Sequence, residues 1–266
     1  MLKIRVIPVL FLMNGLIVRS EKFEDFKVIG NPIAELERYS EWRADELVYV
    51  DITREGGHDL RRDDHKTKNI GDKLDILRAI SSSAYMPLTF GGRIASLDEI
   101  DSYLANGADK VLVNTLAWQA PDIVAAAVVR HGAQAVMGGL DFRRIDGKPV
   151  VFVDQGRIST GLAPDIYARR LADIGVGEIL VNAIDRDGTA DGYDIEAIRS
   201  VADAVSVPVI ACGGVGGFGD FREALDAGHA SAVAAGNIFH FTENAYKRAK
   251  THLKDRGYAV RYPYSS

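Results

Sequence analysis

The sequence predicts a single-domain (β/α)8 barrel, an α/β fold built from a doubled half, on three observations. The first is eight short runs rich in branched apolar residues, at 4–12, 46–52, 87–90, 110–113, 135–140, 178–184, 208–211 and 231–235. Runs without polar alternation are buried on both faces, as parallel strands under helices must be. The second is the helical periodicity of the segments between them. The third is a long internal repeat. Residues 31–48 return at 163–180, an offset of 132, and residues 86–111 return at 207–232, an offset of 121. A repeat this long is half a domain and not one unit of a solenoid. Eight strand–helix units with two-fold internal symmetry suit a closed barrel better than an open doubly wound sheet. The first half covers about residues 1–131 and the second about 132–266.

Taken in order, the first run is apolar from Val9 to Met13 but interrupted upstream by Arg5 and Pro8, so it reads as a barrel strand and not as a signal or a membrane span. The change of offset places an 11-residue insertion in the loop after the second strand, roughly 58–68. His58 and His65 with Asp59, Asp63 and Asp64 have metal-binding atoms, but charged loops of this kind are mostly solvated, and no metal is expected. Contact with a sugar substrate or a third protein is the functional alternative to a solvated loop, because loops at this end of such barrels carry function. The third strand ends at Gly91-Gly92, the fourth at Asn114-Thr115 and the fifth at Asp141. Residues 143–160 place Asp146-Gly147 between apolar runs, which predicts a hairpin over the mouth. The seventh strand ends at Gly213-Gly214 and the eighth at Ala235-Gly236, with a short helix expected to begin near Asn237.

Composition excludes several roles. At 47% hydrophobic residues the chain can bury a large core, and a net charge of −5 without a basic, aromatic-interleaved cluster argues against nucleic acid. The single cysteine, Cys212, cannot form an internal disulfide, which fits a cytoplasmic protein. It reads as a small packed residue, since no histidine lies nearby in sequence to activate it. No cofactor and no membrane partner are expected. A lone Gly-Gly is more often a turn than a phosphate cradle. Two such pairs at equivalent strand ends, each followed about 22 residues later by another small-residue strand end, predict two phosphate sites across one mouth. The ligand implied is a phosphorylated small molecule with a phosphate at each end, and the intact second site is expected to hold an anion first.

Ile184-Asp185-Arg186-Asp187-Gly188-Thr189 and Gly192-Tyr193-Asp194, with Ala44-Asp45-Glu46-Leu47 and Gly107-Ala108-Asp109-Lys110-Val111, resemble the cyclase (synthase) subunit of imidazole glycerol phosphate synthase, a lyase of histidine biosynthesis. The resemblance runs from Arg5 to about Phe241. It implies a barrel that receives ammonia from a glutaminase subunit bound at its amino-terminal face and uses it at the opposite mouth on a bisphosphorylated substrate. It adds Asp187 and Gly188 to the glycine loops as substrate contacts. It also implies two catalytic aspartates, at the ends of the first and fifth strands. Asp141 holds the fifth-strand position, but Phe11 holds the other and can neither donate nor accept a proton. Two more departures follow: Arg93 in place of a third glycine after Gly91-Gly92, and Cys212 in place of a serine. Arg93 either adds a phosphate contact or distorts a turn that needs glycine.

The ammonia gate that the resemblance implies is complete: Arg5, Glu46, Lys110 and Glu178, with Asp109 at the position that contacts the glutaminase. Surface ion pairs are individually worth little, but four charges of both signs pointing to one end of a barrel are harder to dismiss. A branch of the family associated with converting a sugar acetamido group to an acetamidino group, in surface-polysaccharide synthesis, shares this combination. The chain is similar to it in Arg5-Val6-Ile7-Pro8, Asn14-Gly15, Ile210-Ala211-Cys212-Gly213-Gly214, Ser231-Ala232-Val233-Ala234-Ala235-Gly236 and Val260-Arg261-Tyr262-Pro263. In that setting ammonia passes to a third protein, an N-acetyl sugar amidotransferase. A cyclase that has replaced its lost aspartate and a non-catalytic activator of a glutaminase remain the alternatives.

Overall fold

The computed structural model describes residues 3–54, 56–58, 72–241 and 244–261. Its strands are β1 (Arg5–Met13), β2 (Leu16–Glu21), β3 (Asp25–Gly30), β4 (Leu47–Asp51), β5 (Leu88–Gly91), β6 (Lys110–Val113), β7 (Val136–Ile145), β8 (Lys148–Val153), β9 (Ile158–Ser159), β10 (Glu178–Ala183), β11 (Val209–Cys212) and β12 (Ala232–Ala235). The helices are α1 (Pro32–Glu41), α2 (Lys73–Ser81), α3 (Leu97–Ala105), α4 (Thr115–Gln119), α5 (Pro121–His131), α6 (Pro164–Ile174), α7 (Ile195–Ala202), α8 (Phe218–Asp226), α9 (Asn237–Phe241) and α10 (Ala245–Lys254). Parallel pairing runs β1–β4–β5–β6–β7–β10–β11–β12 and returns to β1, with Arg5 opposite Ala232 and Val9 opposite Val48. The eight predicted runs are these eight strands, and the barrel is closed.

Local signals start and stop the helices. Pro32 opens α1 behind Asn31, whose side chain accepts the Ile33 N–H, while Asp72 and Ser96 cap α2 and α3 in the same way. Gly175, at φ 96°, ends α6. Between barrel and helices lies the larger apolar layer, with Tyr39, Phe90, Tyr167 and Phe221 fully buried. Inside the barrel a second cluster stacks Ile7, Val48, Met137 and Ile210 with the small Ala232 and Ala234. A barrel interior filled in this way is a packed core and not an open pore.

Two antiparallel hairpins sit at the carboxyl-terminal mouth. The predicted one begins inside a fifth strand that runs to Ile145, beyond its expected end, then returns as β8 and β9. The other, β2–β3, was not expected: β1 continues to Met13 and turns back at Asn14-Gly15, both at positive φ, so that Phe11 pairs with Val18. Asn-Gly favours this hairpin turn because both central residues take left-handed backbone. The predicted insertion lies, apart from His58, outside the described residues. His58 Nε2 is 3.1 Å from Asp51 Oδ2.

Candidate active site

At the amino-terminal mouth the first inward-facing positions of four strands carry charge. Arg5 reaches Glu46 at 2.7 Å and Glu178 at 2.5 Å, and Lys110 Nζ reaches Glu46 at 2.9 Å and Glu178 at 2.7 Å. Each carboxylate thus bridges both cations, closing a four-membered ring. Glu46 is almost wholly buried and also accepts the Thr89 hydroxyl at 3.1 Å. Burial works against the ionised Glu178 carboxyl, but Arg5 and Lys110 hold it below the ordinary range. Asp45 ties the ring's backbone together: it accepts the Val6 N–H at 3.1 Å and pairs with the buried Lys250 at 2.6 Å, which fixes the start of β1 beside β4. Asp109 is exposed, and its carboxylate accepts the Leu88 N–H at 2.8 Å.

The opposite mouth holds a cavity of about 360 Å³, within the range of small-molecule sites. Asp141 forms part of its floor and is half-buried. Asn114 Nδ2 donates to one of its carboxylate oxygens at 2.9 Å and Asn182 Nδ2 to the other at 3.2 Å. Burial dominates these two bonds and pushes the carboxyl up to about 6, a value suited to proton exchange near neutrality. Phe11 stands in the same cavity, at the strand end where the resemblance implies a second acid. Its ring meets Phe23, from the turn between β2 and β3, edge to face at 5.2 Å. The hairpin therefore packs the aromatic residue in place.

The two glycine ends are unequal. Gly91, Gly92, Asn114 and Thr115 come together as expected, and Gly92, Asn114 and Thr115 line the large cavity. A Cβ on Gly91 would lie 2.5 Å from the Leu112 carbonyl and one on Gly92 2.1 Å from that of Asp51, so neither position admits another residue. Arg93 adopts φ 56°, the left-handed backbone that glycine takes freely. The turn is kept, and the arginine side chain projects to the cavity rim. Thr115 accepts the Asp154 N–H from the β8–β9 turn at 2.9 Å.

Gly213, Gly214, Ala235 and Gly236 also converge, with Asp187 and Gly188, but around a niche of only about 10 Å³. Burial pushes the Asp187 carboxyl up to about 7. Gly188 presses on the Ser20 carbonyl of β2, where a Cβ would lie 2.3 Å away. Cys212 and Phe11 line both the cavity and the niche, and burial lifts the Cys212 thiol far above its ordinary range, leaving it protonated.

Residues 5–245 match the family model described as histidine biosynthesis protein. The chain belongs to that family. Histidine biosynthesis proteins of this kind are (β/α)8-barrel enzymes, so the mouth around Asp141 is the candidate active site. Among the described residues no helix is long and apolar enough to cross a membrane. Several residues of this site have no mark in the sequence. Phe23, Arg54, Gln155 and Arg157 reach the cavity from loops and hairpins whose approach depends on the closed barrel. Asn14-Gly15 was the one available signal, since it announces the hairpin that delivers Phe23.

Proposed function

We propose that this chain is the ammonia-receiving synthase subunit of a glutamine amidotransferase, paired with a glutaminase at the Arg5–Glu46–Lys110–Glu178 face. Its ammonia goes to an acceptor other than the histidine-pathway bisphosphate. The pathway we assign is acetamidino-sugar formation for surface polysaccharide, with an N-acetyl sugar amidotransferase as the third protein. One observation carries the reading: a complete ring of ion pairs at one mouth faces an incomplete acid–base pair at the other, where Phe11 is packed by Phe23. Cyclisation needs both an acid and a base near the reacting atoms. Asp141 supplies one such group at about 6 and nothing at Phe11 supplies the other. The test is the barrel alone with excess ammonium and the histidine-pathway bisphosphate. Little or no imidazole product is expected, and turnover matching an authentic cyclase subunit overturns the reading.

Asp187 favours a second reading, a working cyclase in which this carboxyl, lifted to about 7, takes over the missing role. Phe11 stands between Asp187 and the Asp141 cavity, which weighs against it. Loss of residual cyclase activity in Asp187→Asn, with Asp187→Glu retaining it, would favour this alternative.

A further inference from the structure

We infer that the carboxyl-terminal mouth is divided by Phe11 and takes a sugar-sized ligand with one anionic end, bound beside Arg93, in place of a ligand with a phosphate at each end. The inference rests on the proposed function only for the sugar body of the ligand. Phe11 is in the wall shared by the large cavity and the niche, 7% exposed and braced by Phe23, so joining the two spaces means displacing a packed aromatic pair. The niche on the far side, at about 10 Å³, has room for roughly one water molecule and none for a phosphate. Among the described residues no basic side chain lines it. Its one ionisable carboxyl is that of Asp187, whose Oδ2 has no hydrogen-bond partner among the described residues, so the niche offers an anion no opposite charge.

The large cavity has the opposite character. Arg54, Arg93 and Arg157 stand at its rim. Arg54 is held by the Phe23 carbonyl at 3.0 Å and Gln155 Oε1 at 3.2 Å, and Arg157 by Asp154 Oδ1 at 2.8 Å. The Arg93 guanidinium has no hydrogen-bond partner among the described residues, leaving its planar fork for a bidentate contact with a phosphate ester or a carboxylate. Behind that rim, the aromatic surfaces of Phe11 and Phe23 offer the negative ring face that polarised C–H bonds of a sugar pack against. Asp141, Asn114 and Asn182 at the floor supply hydrogen-bonding groups for its hydroxyl or amide substituents.

Calorimetric titration of the intact chain at low ionic strength tests this with glucose 6-phosphate, glucuronate and fructose 1,6-bisphosphate as probes. One molecule of glucose 6-phosphate or glucuronate is expected to bind per chain, the stronger of the two naming the anion. The bisphosphate should gain no more than the roughly twofold that two equivalent ends allow. Arg93→Gly suits the left-handed backbone at that position and is expected to weaken binding about tenfold or more, the loss of a charge-assisted contact. In a crystal soaked with inorganic phosphate, density is expected at Arg93 and not at the niche by Gly213 and Gly236. A bisphosphate bound about tenfold tighter than the monophosphate, no effect of Arg93→Gly, phosphate in the niche, or no binding of any probe overturns the inference. None of these readouts involves glutaminase or ammonia, so failure here and failure of the relay reading are separately visible.

Discussion

The two mouths of this barrel are built by different rules. At the amino-terminal end the interacting groups are side chains of the strands themselves. Four inward positions, at the starts of the first, second, fourth and sixth barrel strands, meet by barrel closure, and each charge is satisfied twice. At the carboxyl-terminal end the strands supply Phe11, Asp141 and the glycine turns, while two hairpins and the strand–helix loops decide what surrounds them. The strand starts of one mouth form a closed ring of ion pairs, and the strand ends of the other place one carboxyl, Asp141, across from an aromatic ring, Phe11. Under the proposed function, the ring keeps the input of ammonia while the acceptor at the other mouth differs.

The sharpest way to break this contrast is to restore the missing acid. Wild-type cyclase turnover is expected to lie about 10²-fold to 10⁴-fold below that of an authentic cyclase subunit, the usual effect of a lost acid or base. Phe11→Asp is expected to recover part of it, measured as imidazole product with ammonium. It should also lower the denaturation midpoint, because it places a carboxyl among Ile7, Val9 and Leu112 and removes the partner of Phe23. No gain in product from a folded variant would separate Phe11 from the lost activity.

At the other mouth, Lys110→Glu gathers three acids around Arg5 and leaves the buried Glu46 poorly compensated. Breaking a buried pair costs up to about 3–5 kcal/mol, and Lys110 is partly exposed, so urea denaturation should show a loss within that bound while the circular dichroism of the folded state is retained. Glutaminase stimulation is expected to fall in parallel. Unchanged stimulation and unchanged pull-down of the glutaminase would show that the ring is not part of that interface.

A smaller effect sharpens the account of Asp141. Burial lifts the folded carboxyl to about 6, while an unfolded aspartate titrates near about 3.9. The folded state therefore holds this proton more tightly. Its contribution is fully favourable below about pH 4 and is lost as pH rises toward 6. Asp141→Asn removes the charge, and the otherwise unpartnered Oδ1 atoms of Asn114 and Asn182 can accept from the new amide after a flip. The variant is expected to be more stable than wild type by about 2–3 kcal/mol above pH 6, with the difference vanishing below pH 4. A constant difference across that range would contradict a raised carboxyl. Smallest of all is Asp109→Ala. It removes one acceptor from the Leu88 N–H for about 1 kcal/mol and is expected to weaken glutaminase binding more than it weakens the fold.

How much of this was legible follows the same division. The eight barrel strands, the hairpin after Asp141 and the short helix at Asn237 were readable because apolar runs and turn residues are local signals. The four charges at strand starts were singled out by the family resemblance, and their meeting follows because the barrel brings strand starts together whatever the loops do. The β2–β3 hairpin was passed over although Asn14-Gly15 marks its turn, and with it went Phe23 and the packing of Phe11. Arg93 was visible as a departure, but its left-handed backbone and its convergence with Arg54 and Arg157 depend on three separate loops. The inequality of the two glycine ends was hidden as well. Their glycine pairs are alike, and it is the packing around them, Phe11 between the two spaces and Gly188 pressed on Ser20, that accompanies one roomy end and one closed end.

The most direct measurement mixes the barrel with its cognate glutaminase, glutamine and the histidine-pathway bisphosphate, and follows glutamate and imidazole product separately. An ammonia-relaying subunit with a changed acceptor predicts stimulated glutamate release with imidazole product at least about 10²-fold below that of an authentic cyclase pair. Imidazole product keeping pace with glutamate, or no stimulation of the glutaminase at all, would contradict it.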